Sequence, residues 1–164
     1  MERSRSEYRL QHLAEVGISE VPLRPESLLV RHVKRADHEP LSHLMLDAYK
    51  GSIDDEGESI VEARAAIDHY FETIVWPHSF VIADGDVPLA ISMVVIVGGV
   101  HYIDPVATAA VHKAQGLGAI AVATSLLSLA KSGIAEVGAV ITDGNTPSER
   151  LFARFGFVRV GGWV

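Results

Sequence analysis

Lys113-Ala114-Gln115-Gly116-Leu117-Gly118-Ala119 is the stretch from which this chain is best read. Strand-like residues lead into it and a long apolar run leads out, so it marks a strand-to-helix junction. Two glycines at such a junction suit an anion. Without Cβ atoms the backbone can approach a ligand closely, and its N–H groups can point at a phosphate. The helix N-terminus behind them adds roughly half a positive charge.

Outward from this turn, Leu117 to Lys131 reads as a helix apolar nearly all round, ended by Gly133. Val137 to Thr142 reads as a strand. Thr146-Pro147-Ser148-Glu149 predicts a helix start with Thr146 as the cap, Pro147 first and Glu149 closing a capping box. That helix carries Leu151, Phe152 and Phe155 and stops at Gly156, before a short strand from Phe157 to Val160. On the other side lies a meander: Ser79 to Ala83, Leu89 to Val97 and His101 to Ala110, with turns at Asp84-Gly85-Asp86 and Gly98-Gly99. Trp76, Pro77 and His78 form a loop before it. Two helices precede that, from His38 to Tyr49 with Asp37 as cap, and from Ser59 to Glu72 with an apolar stripe of Ile60, Ala63, Ile67, Tyr70 and Phe71. The acidic stretch Asp54-Asp55-Glu56-Gly57-Glu58 joins them as a loop. Leu28 to Lys34 is the first strand. Residues 1–26 read as an N-terminal extension packed on a domain of residues 27–164, with a weak helical pattern from Ser6 to Val16 and breaks at Pro22 and Pro25. The order β-α-α-β-β-β-α-β-α-β makes this a mixed-sheet α+β (α/β mixed) domain.

The chain has 164 residues and a formal net charge of −7, so it is a poor nonspecific ligand for nucleic acid and favours cationic partners. Arg3, Arg5 and Arg9 are interrupted by Glu2 and Glu7 and read as a solvated end. With no cysteine there is no disulfide, thiolate nucleophile or cysteine zinc site. No apolar run is long enough for a membrane span, and the start has no apolar signal region, so the expectation is a cytoplasmic protein away from membranes. The eight histidines show no metal spacing, so no metal is expected. His112 abuts the glycine turn and reads as a surface side chain. The last strand, near Trp163 and Val164, offers an edge for pairing with a second subunit, so a homodimer is among the expectations.

From Val106 to Phe157 the chain resembles the Gcn5-related N-acetyltransferases. The family signature Gln/Arg-x-x-Gly-x-Gly/Ala stands here as Lys113-Ala114-Gln115-Gly116-Leu117-Gly118, and Asn145, Phe152, Gly156 and Phe157 match its downstream elements. The element order matches too. The resemblance implies that acetyl-CoA is the co-substrate and that a small-molecule or peptide amine is the acceptor, attacking directly in a ternary complex. The pyrophosphate would sit on the N–H groups from Gln115 to Ala119, with the Lys113 charge nearby and Ala114 in the turn. The pantetheine arm would run along Val106, Ala107 and Thr108, with Asn145 bonding it from the neighbouring strand end. N–H groups near Thr108 would hold the oxyanion.

The family often has a tyrosine where this chain has Phe152, and that phenol protonates the leaving thiolate. Phe152 has no proton to give, and Ser148, one helical turn earlier on the same face, is a candidate substitute. Asp104 and Tyr102, on one face of the strand feeding the turn, are candidates for the general base. Each has a plainer reading: Asp104 as a bulge residue beside Pro105, Asn145 as a turn residue, Phe152 as core. The acidic loop reads first as a solvated helix start and second as a lure for a cationic amine. A chain with this turn but without the acid could instead be an acyl-CoA-binding module with little catalysis.

Overall fold

The computed structural model describes residues 2–18 and 24–164. Among these described residues seven strands form one sheet: β1 (Arg5–Leu10), β2 (Leu28–His32), β3 (Phe80–Asp84), β4 (Val87–Val97), β5 (Val100–Thr108), β6 (Val137–Thr142) and β7 (Val158–Trp163). Four α-helices join them: α1 (His38–Tyr49), α2 (Ile60–Thr73), α3 (Leu117–Lys131) and α4 (Thr146–Arg154). The strand order is β2-β3-β4-β5-β6-β1-β7. All pairings are antiparallel except β5 with β6.

The predicted mixed architecture and element order are present, with one strand added at the front. The helical reading of Ser6 to Val16 is wrong for its first half. Arg5–Leu10 is a strand between β6 and β7, and a short 3-10 turn follows at Leu13–Glu15. Alternation explains the placement. Ser6 and Leu10 are buried, and Ser6 Oγ donates to Asp143 Oδ1 at 2.6 Å and accepts from Arg159 Nε at 3.0 Å. On the opposite face, Arg9 bonds Glu7, Glu136 and the Tyr102 hydroxyl. Arg5 and Arg9 are therefore part of a structured strand, not a solvated end. Pro22 lies outside the described residues.

The two faces of the sheet carry separate cores. On one, Leu41, Leu44, Met45, Ile67 and Phe71 from α1 and α2 cover Val81, Ile91, Met93 and Ala107. On the other, Val122, Leu126, Leu129 and Phe152 from α3 and α4 cover Val94, Ile103, Ala139 and Ile141. Each fully buried Leu or Ile here contributes about 1.5–3 kcal/mol. Asp37 precedes α1 as expected but does not cap it. Its carboxylate, 2% exposed, takes a bidentate pair from Arg31 at 2.8 Å and the Lys34 N–H at 2.9 Å. The α4 cap is Asn145, one residue before the predicted Thr146, with Oδ1 accepting the Ser148 N–H at 3.3 Å. Glu149 bonds the Gly144 N–H instead of closing a box on Thr146.

Candidate active site

Two features of β5 create the site. First, β5 and β6 pair only at His101–Val137 and Tyr102–Gly138. Beyond these pairs the two strands part, and the sheet splays open on the way to the glycine turn. Second, β5 carries a bulge. Ile103 pairs with Val94 and Val106 with Ser92, so Asp104 and Pro105 together face the single residue Met93. The side-chain alternation slips by one across it: Tyr102 and Ala107 face the α1/α2 core, whereas Ile103 and Val106 face the other. The bulge aims Asp104 into a cavity of about 370 Å³ at the apex of the splay.

That cavity is walled by Asp104 and Val106 from β5, Thr142 from the end of β6, Asn145, Ser148 and Phe152 around α4, Tyr49 from α1, Tyr70 from α2, Arg5 from β1, and Asp54, Glu56 and Glu58 from the α1–α2 loop. The Asp104 carboxylate is open to the cavity but enclosed by protein around it. That enclosure pushes its pKa up, and the Tyr70 hydroxyl, donating to Asp104 Oδ1 at 3.3 Å, and the Arg5 charge pull only part of the way back. Burial and the facing Asp104 likewise push the Tyr49 and Tyr70 phenols well above the usual tyrosine range, so both stay protonated.

The glycine turn lies at the other end of the splay. After a 3-10 turn at Ala110–His112, Ala114 and Gly116 both have left-handed φ values, 65° and 79°. Such a turn gathers backbone N–H groups into an anion cradle. No side chain caps the first turn of α3. A Cβ on Gly118 would lie 3.3 Å from Thr108 Oγ1, so this glycine lets α3 start close against β5. These features fit a pyrophosphate held by the N–H groups from Gln115 to Ala119.

The predicted residues divide into three groups. Asp104, Val106, Asn145, Ser148 and Phe152 meet around the cavity, Thr108 lies against Gly118, and Ala107 is buried under α1. Ala114, Gln115, Gly116, Leu117, Gly118 and Ala119 form the turn and the first turn of α3. The side chains of Lys113, Tyr102 and Asn145 are held by other protein groups, although Tyr102 and Asn145 also line the cavity. Lys113 Nζ donates to the Ala48 carbonyl at the end of α1, where a cation meets the helix dipole, and not toward the turn. The Tyr102 ring is 4% exposed and lies over Gly138, and its hydroxyl sits between Glu7 and Arg9 at 2.8 and 2.9 Å. That is the setting of a structural tyrosine rather than a base. Both ends of the Asn145 amide are occupied: Oδ1 caps α4 and Nδ2 donates to Asp54 Oδ2 at 3.0 Å. Phe152 packs edge-on against Phe157 with ring centroids 5.0 Å apart, which is its plainer reading as core.

Sequence reasoning missed Tyr49 and Tyr70. Tyr70 sits at helical spacing with Ile67 and Phe71 and so looked like core. The signal was the phenol itself, a polar tip on an apolar stripe. Among the described residues, no group of three or more His, Asp or Glu is placed to hold a metal. No described helix is long and apolar enough to cross a membrane.

The sequence profile of the acetyltransferase (GNAT) family matches residues 39–157, and the chain belongs to that family. The fold agrees with solved structures at low sequence identity. A GCN5-related N-acetyltransferase from Sphaerobacter thermophilus superposes with a TM-score of 0.73 at 12% identity, over 98% of this chain and 49% of that one. A tandem GNAT protein from the clavulanic acid biosynthesis pathway gives 0.74 at 15%, over 99% and 52%. AAC(6')-Iy, solved with the bisubstrate analogue CoA-S-monomethyl-acetylneamine, gives 0.59 at 15%, over 80% and 90%. The chain thus spans about half the length of the first two. No curated protein matches it by sequence.

Proposed function

We propose that the chain is an acetyl-CoA-dependent N-acetyltransferase that modifies a primary amine by direct attack in a ternary complex. The observation that carries this reading is the splay between β5 and β6, with a cradle of N–H groups at one end and the Asp104 carboxylate at the other. The co-substrate supplies an activated acetyl thioester. The turn from Gln115 to Ala119 binds its pyrophosphate, and Val106 to Thr108 align the pantetheine arm. The cavity beside Asp104 receives the amine, which is a cation in water. Asp104 takes a proton from the ammonium, a task suited to a carboxylate whose pKa has been raised. The Tyr70 hydroxyl orients Asp104. The match to a structure holding a CoA bisubstrate analogue supports the donor. The acidic walls and the net charge of −7 support a cationic acceptor.

The test is free-thiol release from acetyl-CoA across a panel of primary amines. We expect release with cationic amines, rising with pH through the raised pKa of Asp104. Asp104→Asn should lower kcat/KM by about a hundredfold or more and remove that acid limb. Phe152 favours one second reading, an acyl-CoA-binding module with little catalysis, because its ring is buried and offers no proton. Tight co-substrate binding by calorimetry with no thiol release for any amine would select that module.

A further inference from the structure

We propose that Asp54 is a positioning residue that ties the acceptor wall of the cavity to the strand end on the acyl-donor side, an inference that rests on the acetyltransferase reading above. The α1–α2 loop reaches across the splay, and Asp54 is where it lands. Asp54 Oδ1 accepts the Thr142 hydroxyl at 2.6 Å and Oδ2 accepts the Asn145 amide at 3.0 Å. Both carboxylate oxygens are therefore spent on the end of β6 and the start of α4. Such bonds to a charged acceptor are among the stronger ones in proteins.

The loop that Asp54 anchors is itself preformed. The Asp55 carboxylate accepts the N–H groups of Gly51 and Gly57 at 2.7 and 2.8 Å, and Arg3 bonds the Asp55 carbonyl at 2.9 Å. Ser52 Oγ bonds the Tyr49 carbonyl and receives the Asp54 N–H. At its far end Ser59 and Glu62 close a capping box that starts α2. With the loop held in this shape, and Arg3 on its Asp55 carbonyl, the Asp54 bonds set where its other carboxylates stand relative to β6 and α4. Glu56 and Glu58 face the same cavity as Asp104. The tie also meets the cap of α4, because one Asn145 side chain holds both Asp54 and the Ser148 N–H. Its amide has no alternative arrangement that keeps both bonds: the oxygen is needed at Ser148 and the nitrogen at Asp54.

The pair of acceptors at position 54 allows a test by graded substitution. Asp54→Ala removes both, so the Asn145 amide and the Thr142 hydroxyl lose the loop. Asp54→Asn keeps the tie: its amide oxygen accepts from Asn145, and its nitrogen donates to the Thr142 hydroxyl, which accepts as readily as it donates. Hydrogen exchange of the amides in residues 51–58 should speed up at least about tenfold in D54A and stay within about twofold of the parent in D54N. For an amine found in the thiol-release panel, D54A should raise KM at least about tenfold while kcat changes by less than about threefold. Unchanged exchange and KM in D54A would overturn the proposal, as would a D54N protein as loose as D54A. If no amine is acetylated by the parent chain, the acetyltransferase reading fails, and the exchange measurement still decides the tie.

Discussion

Gly138→Ala is the sharpest test of how the splay is built. Gly138 is the last β6 residue paired with β5, and the Tyr102 ring opposite lies over it. An added Cβ would stand 2.6 Å from Cδ1 and 2.9 Å from Cζ of that ring, and closer still to Cε1. Ordinary carbon contacts lie at about 3.5 Å or beyond, so the ring must move by roughly an ångström. It has little freedom to do so. Its hydroxyl is held by Glu7 and Arg9, and Trp163 packs on it with centroids 5.6 Å apart. Overpacking alone costs about 1–3 kcal/mol, and loosening a hydrogen bond to a charged group adds about 1.5–3. The expected loss is therefore about 3–5 kcal/mol in urea unfolding. Acyl-CoA affinity should fall with it, because the apex of the splay shifts. The partner experiment is Tyr102→Ala, in which the space above Gly138 opens and the added methyl becomes nearly harmless. The double variant should be less damaged than the sum of the singles by about 2 kcal/mol or more. A Gly138→Ala protein within 1 kcal/mol of the parent, or strict additivity with Tyr102→Ala, would refute the reasoning.

Other outcomes follow from single observations. Ala114 is a non-glycine residue with φ of 65°, so Ala114→Gly should stabilise the chain by about 0.5–1 kcal/mol and raise the melting temperature by a few degrees. Asp37→Ala removes one half of a buried ion pair and strands Arg31, and should cost about 3 kcal/mol in denaturant titration. The pKa of His78 is lowered, by burial first and then by the facing His101 and His32, while its Nδ1 lies 2.7 Å from Ser128 Oγ. The folded state then binds fewer protons there than the unfolded chain, so stability should fall as pH drops through about 6.5. His78→Gln should flatten that slope between pH 7.5 and 5.5, and an unchanged slope would rule out His78 as its source.

The elements most legible in the sequence were those with both a periodic stripe and clear ends. The bounds of α1, α3 and β6 fall where glycines, caps and apolar runs put them. β1 was not legible because one of its inward positions is Ser6, a buried polar residue satisfied by Asp143 and Arg159 from far along the chain. With that position silent, Tyr8, Leu10 and Leu13 looked helical. At the site, the strand-to-helix junction at the glycine turn was legible in the residues, whereas Asp104 was reached through the resemblance and its place on the strand feeding the turn, with a bulge beside Pro105 as its plainer reading. The partners of Asp104 could not be named, since Tyr70 and Arg5 reach it through the fold alone. The α4 cap shows a finer limit. Asn145 and Thr146 are both good caps one residue apart, and the choice goes to the one whose oxygen meets the Ser148 N–H.

The position of β1 has a consequence for how the chain folds. Its two neighbours in the sheet, β6 and β7, are the last strands along the sequence, with Ser6 beside Ile141 and Arg5 beside Trp163. During synthesis β1 waits with both edges open until β6 and β7 have emerged, and closing these pairings costs the entropy of the longest loops between paired strands among the described residues. A circular permutant that joins the end of β7 to the start of β1 by a short linker, with new ends at Gly85, would turn the most distant pairing into a hairpin. Its native contacts would be the same while its folding rate should rise.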